Sequence, residues 1–325
     1  MKLMSVGCIW QQGAHNAFTS LVRFKGALYC VFREGHAHVS PDGALRVLQS
    51  RDDGQTWTST ALLQVDYADL RDGKFIEYQG ELKLLGGGTL HATPTQASRL
   101  QSHLWSSIDG VNWSQPQFVA EAGYWLWSGT CFDNAIYGVG YRPGPTGDVR
   151  LYKSDNGISF YPWVTVLQDE GYVNESSLVF VDSPDDSALS VERAPSISYC
   201  LLRRDPVWGP EFLGLLGRAE WPFTQWQWLT LDKRIGGPVM FVYQSRLLAI
   251  VRLYDERIRT SVVEINSQSG EVTELLSLPS GGDTSYAGVV LENDQLFVSY
   301  YSSHELDYDG KPHTRIYFAR IDLAA

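Results

Sequence analysis

Ser50-Arg51-Asp52-Asp53-Gly54-Gln55-Thr56-Trp57 decides the fold of this chain. Its Asp-Asp-Gly centre supplies the short polar side chains and the positive-φ position that a tight β-turn demands. The Ser50 and Thr56 hydroxyls are suited to hydrogen-bonding turn backbone, and Trp57 is an apolar plug able to lock a hairpin against its neighbour. The stretch is therefore read as scaffold, not as a site.

The pattern recurs. Ser106-Ser107-Ile108-Asp109-Gly110-Val111-Asn112-Trp113 is a degraded copy with Ile108 where the Asp should stand. Lys153-Ser154-Asp155-Asn156-Gly157-Ile158-Ser159-Phe160 keeps the Asp and the Gly but replaces Trp by Phe. The three glycines fall at 54, 110 and 157, hence 56 and 47 residues apart. A repeat of about fifty residues is filled by four short strands and their turns, the length of a propeller blade. Six blades divide the 325 residues into units of about 54 and seven into about 46, so six fits better.

The expected architecture is an all-β, six-bladed β-propeller of four-stranded antiparallel blades, one domain over residues 1–325. Inner strands are expected near 18–22, 71–76, 126–131, 176–180, 238–242 and 286–290. The last blade shows three clear strands, the final one near 315–321. Residues 4–10 are free to be its fourth, a closure that hides two sheet edges.

Eleven Trp, seventeen Tyr and thirteen Phe beside thirty Gly suit many short aromatic strands joined by tight turns. A net charge of −11 argues against nucleic acid or an anionic membrane surface as partner. An anionic small molecule then requires basic residues gathered in one pocket. No signal-like or membrane-spanning apolar stretch is present, so a soluble, cytoplasmic protein is expected. Cys8, Cys30, Cys131 and Cys200 form no C-x-x-C pair and read as small buried apolar residues, and no metal or cofactor is expected. Asp182-Ser183-Pro184-Asp185-Asp186 reads as a solvated loop.

Chemistry should sit where the inner strands converge at one end of the central channel. Their starts are polar: His15-Asn16, Asp69-Leu70-Arg71-Asp72, Asn174-Glu175-Ser176 and Asp283-Thr284-Ser285-Tyr286. The ends of second strands add Arg33-Glu34, Arg203-Arg204, Arg252 and His304-Glu305. Recurrence at equivalent blade positions points to a shared pocket.

The repeated turn resembles the Asp-box, and over nearly its whole length the chain is similar to bacterial exo-sialidases of the Asp-box class. The resemblance implies roles for particular residues. Asn174-Glu175-Ser176 matches the Glu that follows an Asn at the start of blade four, and one of Arg203 and Arg204 matches the Arg ending the next strand. The Arg of blade five is Arg259, in Arg259-Thr260-Ser261-Val262-Val263, with Arg252 as rival. Ser285-Tyr286 matches the nucleophilic Tyr that begins the last blade. From the polar strand starts and ends, and not from the resemblance, Arg71, Asp72 and His304 complete the expected binding set.

The departures are equally specific. Where sialidases carry Arg-Ile-Pro, this chain reads Ala17-Phe18-Thr19, so the first arginine of the carboxylate-binding triad is missing from its expected position, and Arg33 and Arg71 are the candidates to replace it. The acid/base Asp is matched by Asp42, which is also a Pro-Asp-Gly turn residue; Glu34, His36 and His38 are the substitutes.

The implied activity is a retaining exo-glycosidase that releases a terminal sialic acid or related anionic sugar, with Tyr286 as nucleophile, Glu175 as its base and Asp42 as acid. Such a sugar carries a carboxylate on its anomeric carbon, which would repel a charged nucleophile, and tyrosine is the exception glycosidases use. An ordinary tyrosine pKa of about 10 calls for a base at hydrogen-bond distance. Arginine forks match the substrate carboxylate. Two other readings stand beside it: a polysaccharide lyase using a His/Tyr pair, permitted by the histidines at 36, 38 and 304, and a non-catalytic carbohydrate-binding propeller.

Overall fold

The computed structural model describes residues 1–91, 99–181, 196–206 and 212–325. The acidic stretch at 182–186 lies outside the described residues. Among those described, twenty-four strands form six four-stranded antiparallel sheets, the expected propeller. The inner strands are His15–Phe24, Ala68–Tyr78, Trp125–Phe132, Tyr172–Val181, Ile235–Tyr243 and Thr284–Glu292. Each touches the next, and the sixth touches the first, which closes the ring. No helix among the described residues is long and apolar enough to cross a membrane.

Closure is made as expected by the N-terminus. Lys2–Trp10 pairs antiparallel with Arg315–Asp322, placing Val6 opposite Ala319 and Trp10 opposite Ile316. The remaining cohesion comes from apolar wedges between blades. Val31, Leu45, Leu70, Leu84 and Trp105, for example, bury the faces of blades one and two against each other. Cys30 and Cys200 are buried as expected, whereas Cys8, on the edge strand that closes the ring, and Cys131, whose thiol donates to the Glu77 carbonyl of blade two at 2.9 Å, are exposed.

The turn at Ser50–Trp57 performs the scaffold role its chemistry suggests. Asp52 accepts hydrogen bonds from the Ser50 hydroxyl at 2.8 Å, the Thr56 amide at 2.8 Å and the Thr56 hydroxyl at 2.6 Å. Gly54 has φ 85°, and a Cβ there would stand 2.1 Å from the Phe318 ring, so glycine is required by both backbone and neighbour. The half-buried Trp57 ring meets Phe318 edge-on at 5.3 Å and donates its Nε1–H to the Gly54 carbonyl at 3.1 Å. Blade one is thereby fastened to blade six. Trp57→Ala is expected to lower stability by about 2 kcal/mol, less than for a fully buried ring; an unchanged denaturant midpoint would remove this role.

The other two copies keep the device but slip by one residue. Ser107 and Asp109, not Ser106 and Ile108, close the second turn, with Asp109 accepting the Val111 and Asn112 amides at 2.9 and 2.7 Å. In the third, Asn156 accepts the Ile158 and Ser159 amides at 3.0 and 2.8 Å, while Asp155 pairs with Lys153. The second copy is therefore not degraded: Asp109 takes the place assigned to Ile108, since a carboxylate one residue later still reaches the turn amides.

One feature positions the site. Every inner strand carries a register shift near its start: between Ala17 and Ser20, Arg71 and Lys74, Leu126 and Ser128, Val173 and Ser176, Gly236 and Val239, and Ser285 and Gly288. The strands consequently begin one to four residues before the apolar runs that announce them. Such bulges re-aim side chains next to functional sites. Phe18, Asp72, Gly237 and Tyr286 sit in these bulges with φ of 62°, 55°, 51° and 49°. Trp127 and Glu175 occupy the corresponding places in blades three and four.

Candidate active site

The six bulges meet at one end of the channel. Tyr286 has Phe18 and Trp127 edge-on at 5.0 and 5.9 Å. Its hydroxyl donates to Glu175 Oε1 at 2.6 Å, across the channel from blade six to blade four. Gly237, between them, donates its amide to Glu175 Oε2 at 2.9 Å. A Cβ at Gly237 would lie 2.9 Å from the Tyr286 ring, so blade five contributes backbone where the others contribute side chains.

Arg203 completes the cluster. Its Nη1 stands 2.6 Å from Glu175 Oε1 and 2.8 Å from Tyr286 Oη, while Nε and Nη2 donate to Asp205 at 3.2 and 2.8 Å. Asn174 donates to the other Asp205 oxygen at 3.0 Å and accepts the Glu175 amide at 2.7 Å. Burial pushes the Glu175 carboxyl up, but Arg203 and the hydrogen bonds from Tyr286 and Gly237 outweigh it and hold the group below its ordinary value. Burial, then the Glu175 charge, holds Tyr286 well above the ordinary phenol range. A neutral hydroxyl therefore donates to an ionised carboxylate, the protonation state of a nucleophile beside its base.

Arg252 lies with its guanidinium 5.1 Å from the Tyr286 ring centre. It donates to the Thr284 carbonyl at 2.7 Å, Asp283 at 3.2 Å and Tyr301 Oη at 2.9 Å. Asp72 is buried, with Oδ1 lacking any hydrogen-bond partner in the protein. Burial raises its carboxyl to about 7 against the pull of Arg71 and Lys74, helped by the Glu175 charge. Lys74, pushed down by its own burial, donates to the Thr19 carbonyl at 3.0 Å.

Beside this cluster stands a second one. His38 Nδ1 and His15 Nε2 lie 3.0 and 3.4 Å from the same oxygen, Asp283 Oδ2. Asp283 Oδ1 is held by Tyr301 at 2.6 Å. Phe18 packs edge-on against His38 at 5.3 Å and so links the two clusters.

Among the residues expected from sequence, the fold brings Tyr286, Glu175, Asp72, Arg203 and Arg252 to the channel end. Arg71 borders them, tied to Asp69 at 2.9 Å and to the His38 carbonyl at 3.1 Å. Arg204 instead donates to the Leu213 carbonyl at 2.8 Å. Arg259 is gripped by Glu274 at 2.8 and 2.6 Å, because the third strand of blade five lies away from the channel. Arg33 is 0% exposed and spends its donors on Asp69, Ala37 and Ser40, so it positions the loop at 36–43 and cannot touch a ligand.

Asp42 is exposed and accepts the His36 amide at 3.2 Å. Its carboxyl is lowered by the Ser40 hydroxyl first and then that amide, the opposite of what a proton donor needs. His304 bonds to Ser302 at 2.9 Å and packs on Tyr317, outside both clusters. Among the substitutes, Glu34 is held by Arg46 at 2.7 Å and by Trp10 at 2.8 Å, His36 is exposed, and His38 alone reaches the channel end. Sequence reasoning missed Trp127 and Gly237, whose only signal was their place in the bulge repeat. Beside Ala17, which stands at the place of the absent arginine, Phe18 packs against Tyr286.

No protein-family model matches the chain, and no curated protein matches it. Solved structures do. A protein of unknown function from Dyadobacter fermentans superposes with a TM-score of 0.78 at 17% identity, over 99% of this chain and 98% of that one. The Penicillium chrysogenum α-L-arabinanase complexed with arabinobiose gives 0.69 at 14% identity, over 100% and 99%. Trypanosoma rangeli sialidase gives 0.68 at 10% identity over 95% of this chain, which spans about half of it, 55%. The chain therefore shares the six-bladed propeller fold of proteins that include sialidases and arabinanases.

Proposed function

We propose that this protein is a retaining glycoside hydrolase acting on a terminal sialic acid or related anionic sugar, with Tyr286 as nucleophile and Glu175 as its base. The observation that carries the reading is the 2.6 Å hydrogen bond from Tyr286 Oη to Glu175 Oε1, with Arg203 within 2.8 Å of the same hydroxyl. As Oη forms its bond to the anomeric carbon and the glycosidic C–O bond breaks, the Oη proton passes to Glu175. Asp72, neutral up to about pH 7, gives its proton to the leaving oxygen. Water then attacks the anomeric carbon and yields a proton to Asp72, and the departing phenolate recovers its proton from Glu175. Arg203, Arg252 and Arg71 supply the positive field for the substrate carboxylate. The nucleophile carries no charge until the reaction begins, which suits a substrate with an anionic group on the reacting carbon.

The test is a screen of glycosides of several nonulosonic acids and uronates with mass detection of products. Addition of water with retained anomeric configuration is expected. An unsaturated, ultraviolet-absorbing product would convert the assignment to a lyase, and saturable binding without turnover to a carbohydrate-binding propeller.

A further inference from the structure

We infer that His15, His38 and Asp283 form a binding site for a divalent first-row transition-metal ion at the channel end, between the first and last blades. This goes beyond the glycosidase reading and does not depend on it. Among the described residues this is the one place where three such donor atoms converge, all within 4.8 Å of one another.

Two of the three donor separations are those of a ligand set. Donors bonded at about 2.0–2.2 Å to one ion stand roughly 3–3.5 Å apart in tetrahedral or octahedral arrangements. The two nitrogen-to-oxygen separations are 3.0 and 3.4 Å. Both imidazoles address the same carboxylate oxygen, Oδ2, while Tyr301 at 2.6 Å and Arg252 at 3.2 Å occupy Oδ1. Outer partners of this kind fix the rotation of a ligating carboxylate and leave one oxygen to the ion.

The other ligands are also held. The His15 side chain is 12% exposed, at the start of the first inner strand. His38 rides the loop that the buried Arg33 ties down at Ala37 and Ser40, and Arg71 grips its carbonyl at 3.1 Å. Its side chain is 51% exposed, so three protein donors leave the ion open to solvent, the pattern of a site that takes a water or a ligand oxygen. Two imidazoles and one carboxylate select zinc, iron, cobalt, nickel or copper over calcium or magnesium, which prefer oxygen donors alone.

The experiment uses the full chain after dialysis against chelator, with Zn²⁺ by calorimetry and Co²⁺ by visible absorption. One equivalent of each is expected to bind, unaffected by millimolar Ca²⁺. His38→Ala, in an exposed loop, and Asp283→Asn should each weaken binding by tenfold to a hundredfold or more, whereas His304→Gln should leave it unchanged. Cu²⁺ should show hyperfine coupling to two nitrogens in the natural protein and to one in His38→Ala, a signature that a folding defect does not produce. The assignment falls if no saturable binding occurs, if His38→Ala binds as tightly as the natural protein, or if Ca²⁺ competes on equal terms.

Discussion

Tyr286→Phe and Glu175→Gln are each expected to lower kcat/KM by about a thousandfold, or about 4 kcal/mol, and the double mutant to be little worse than either. The expectation follows from one shared proton. Tyr286 Oη and Glu175 Oε1 are 2.6 Å apart, so the tyrosine is a nucleophile only while the glutamate can accept from it. Removing the hydroxyl and removing the acceptor disable the same step, which makes the losses non-additive. Packing should survive both changes. Phe keeps the ring contacts with Phe18 and Trp127, and in Glu175→Gln the Arg203 guanidinium retains Asp205 at 2.8 Å. Kinetics on a substrate found in the glycoside screen, at matched near-ultraviolet circular dichroism, decide the matter. Turnover near the natural rate by Tyr286→Phe eliminates the tyrosine mechanism, and fully additive losses separate the pair.

The stability of Asp72→Asn relative to the natural protein should rise by about 4 kcal/mol between pH 4 and pH 8. Asp72 has an ordinary carboxyl value of 3.8 when unfolded and about 7 when folded, raised chiefly by burial. Below 3.8 both states are protonated and the group contributes no difference. Between the two values the unfolded chain releases the proton while the folded protein keeps it, so stability falls as pH rises. Above about 7 both states are ionised, and the loss levels off with a buried charge whose neighbours are Arg71, Lys74, Arg33 and Glu175. Asparagine has the same shape and no proton to lose, so it escapes this loss. Urea unfolding at several pH values measures it; parallel curves for the two proteins would show that Asp72 is ionised in the fold. The same titration should make turnover by the natural protein decline above about pH 7 as the proposed donor loses its proton.

Some of this was available without coordinates. Blade number and ring closure are consequences of local chemistry. A turn such as Ser50–Trp57 is closed by its own side chains, its spacing sets the blade length, and an unpaired last strand requires a partner from the other end of the chain. The order of polar strand starts likewise brought Glu175, Tyr286 and Asp72 into one expected pocket, because equivalent positions in successive blades face the same channel.

Which arginine reaches that pocket was not available. Arg203 and Arg204 are adjacent and point to opposite faces of their strand, so choosing between them requires the absolute register. The inner-strand bulges deny that register to a reader of the sequence, since an extra residue reverses the inward and outward alternation on its two sides. Arg252 and Arg259 differ only in lying on the second or the third strand of one blade, at different distances from the axis. Arg33 and Asp42 show the same limit: each stands in a plausible place along the chain, but Asp69 captures the first and the Ser40 to Gly43 turn faces the second to solvent. The chain by itself determined the scaffold, because strands, turns and their repeat are local. The tertiary structure alone decided which charges meet, because His15, His38, Glu175, Arg203, Asp283 and Tyr286 come from three separate blades, and side chains so distant in sequence become neighbours only when the ring closes.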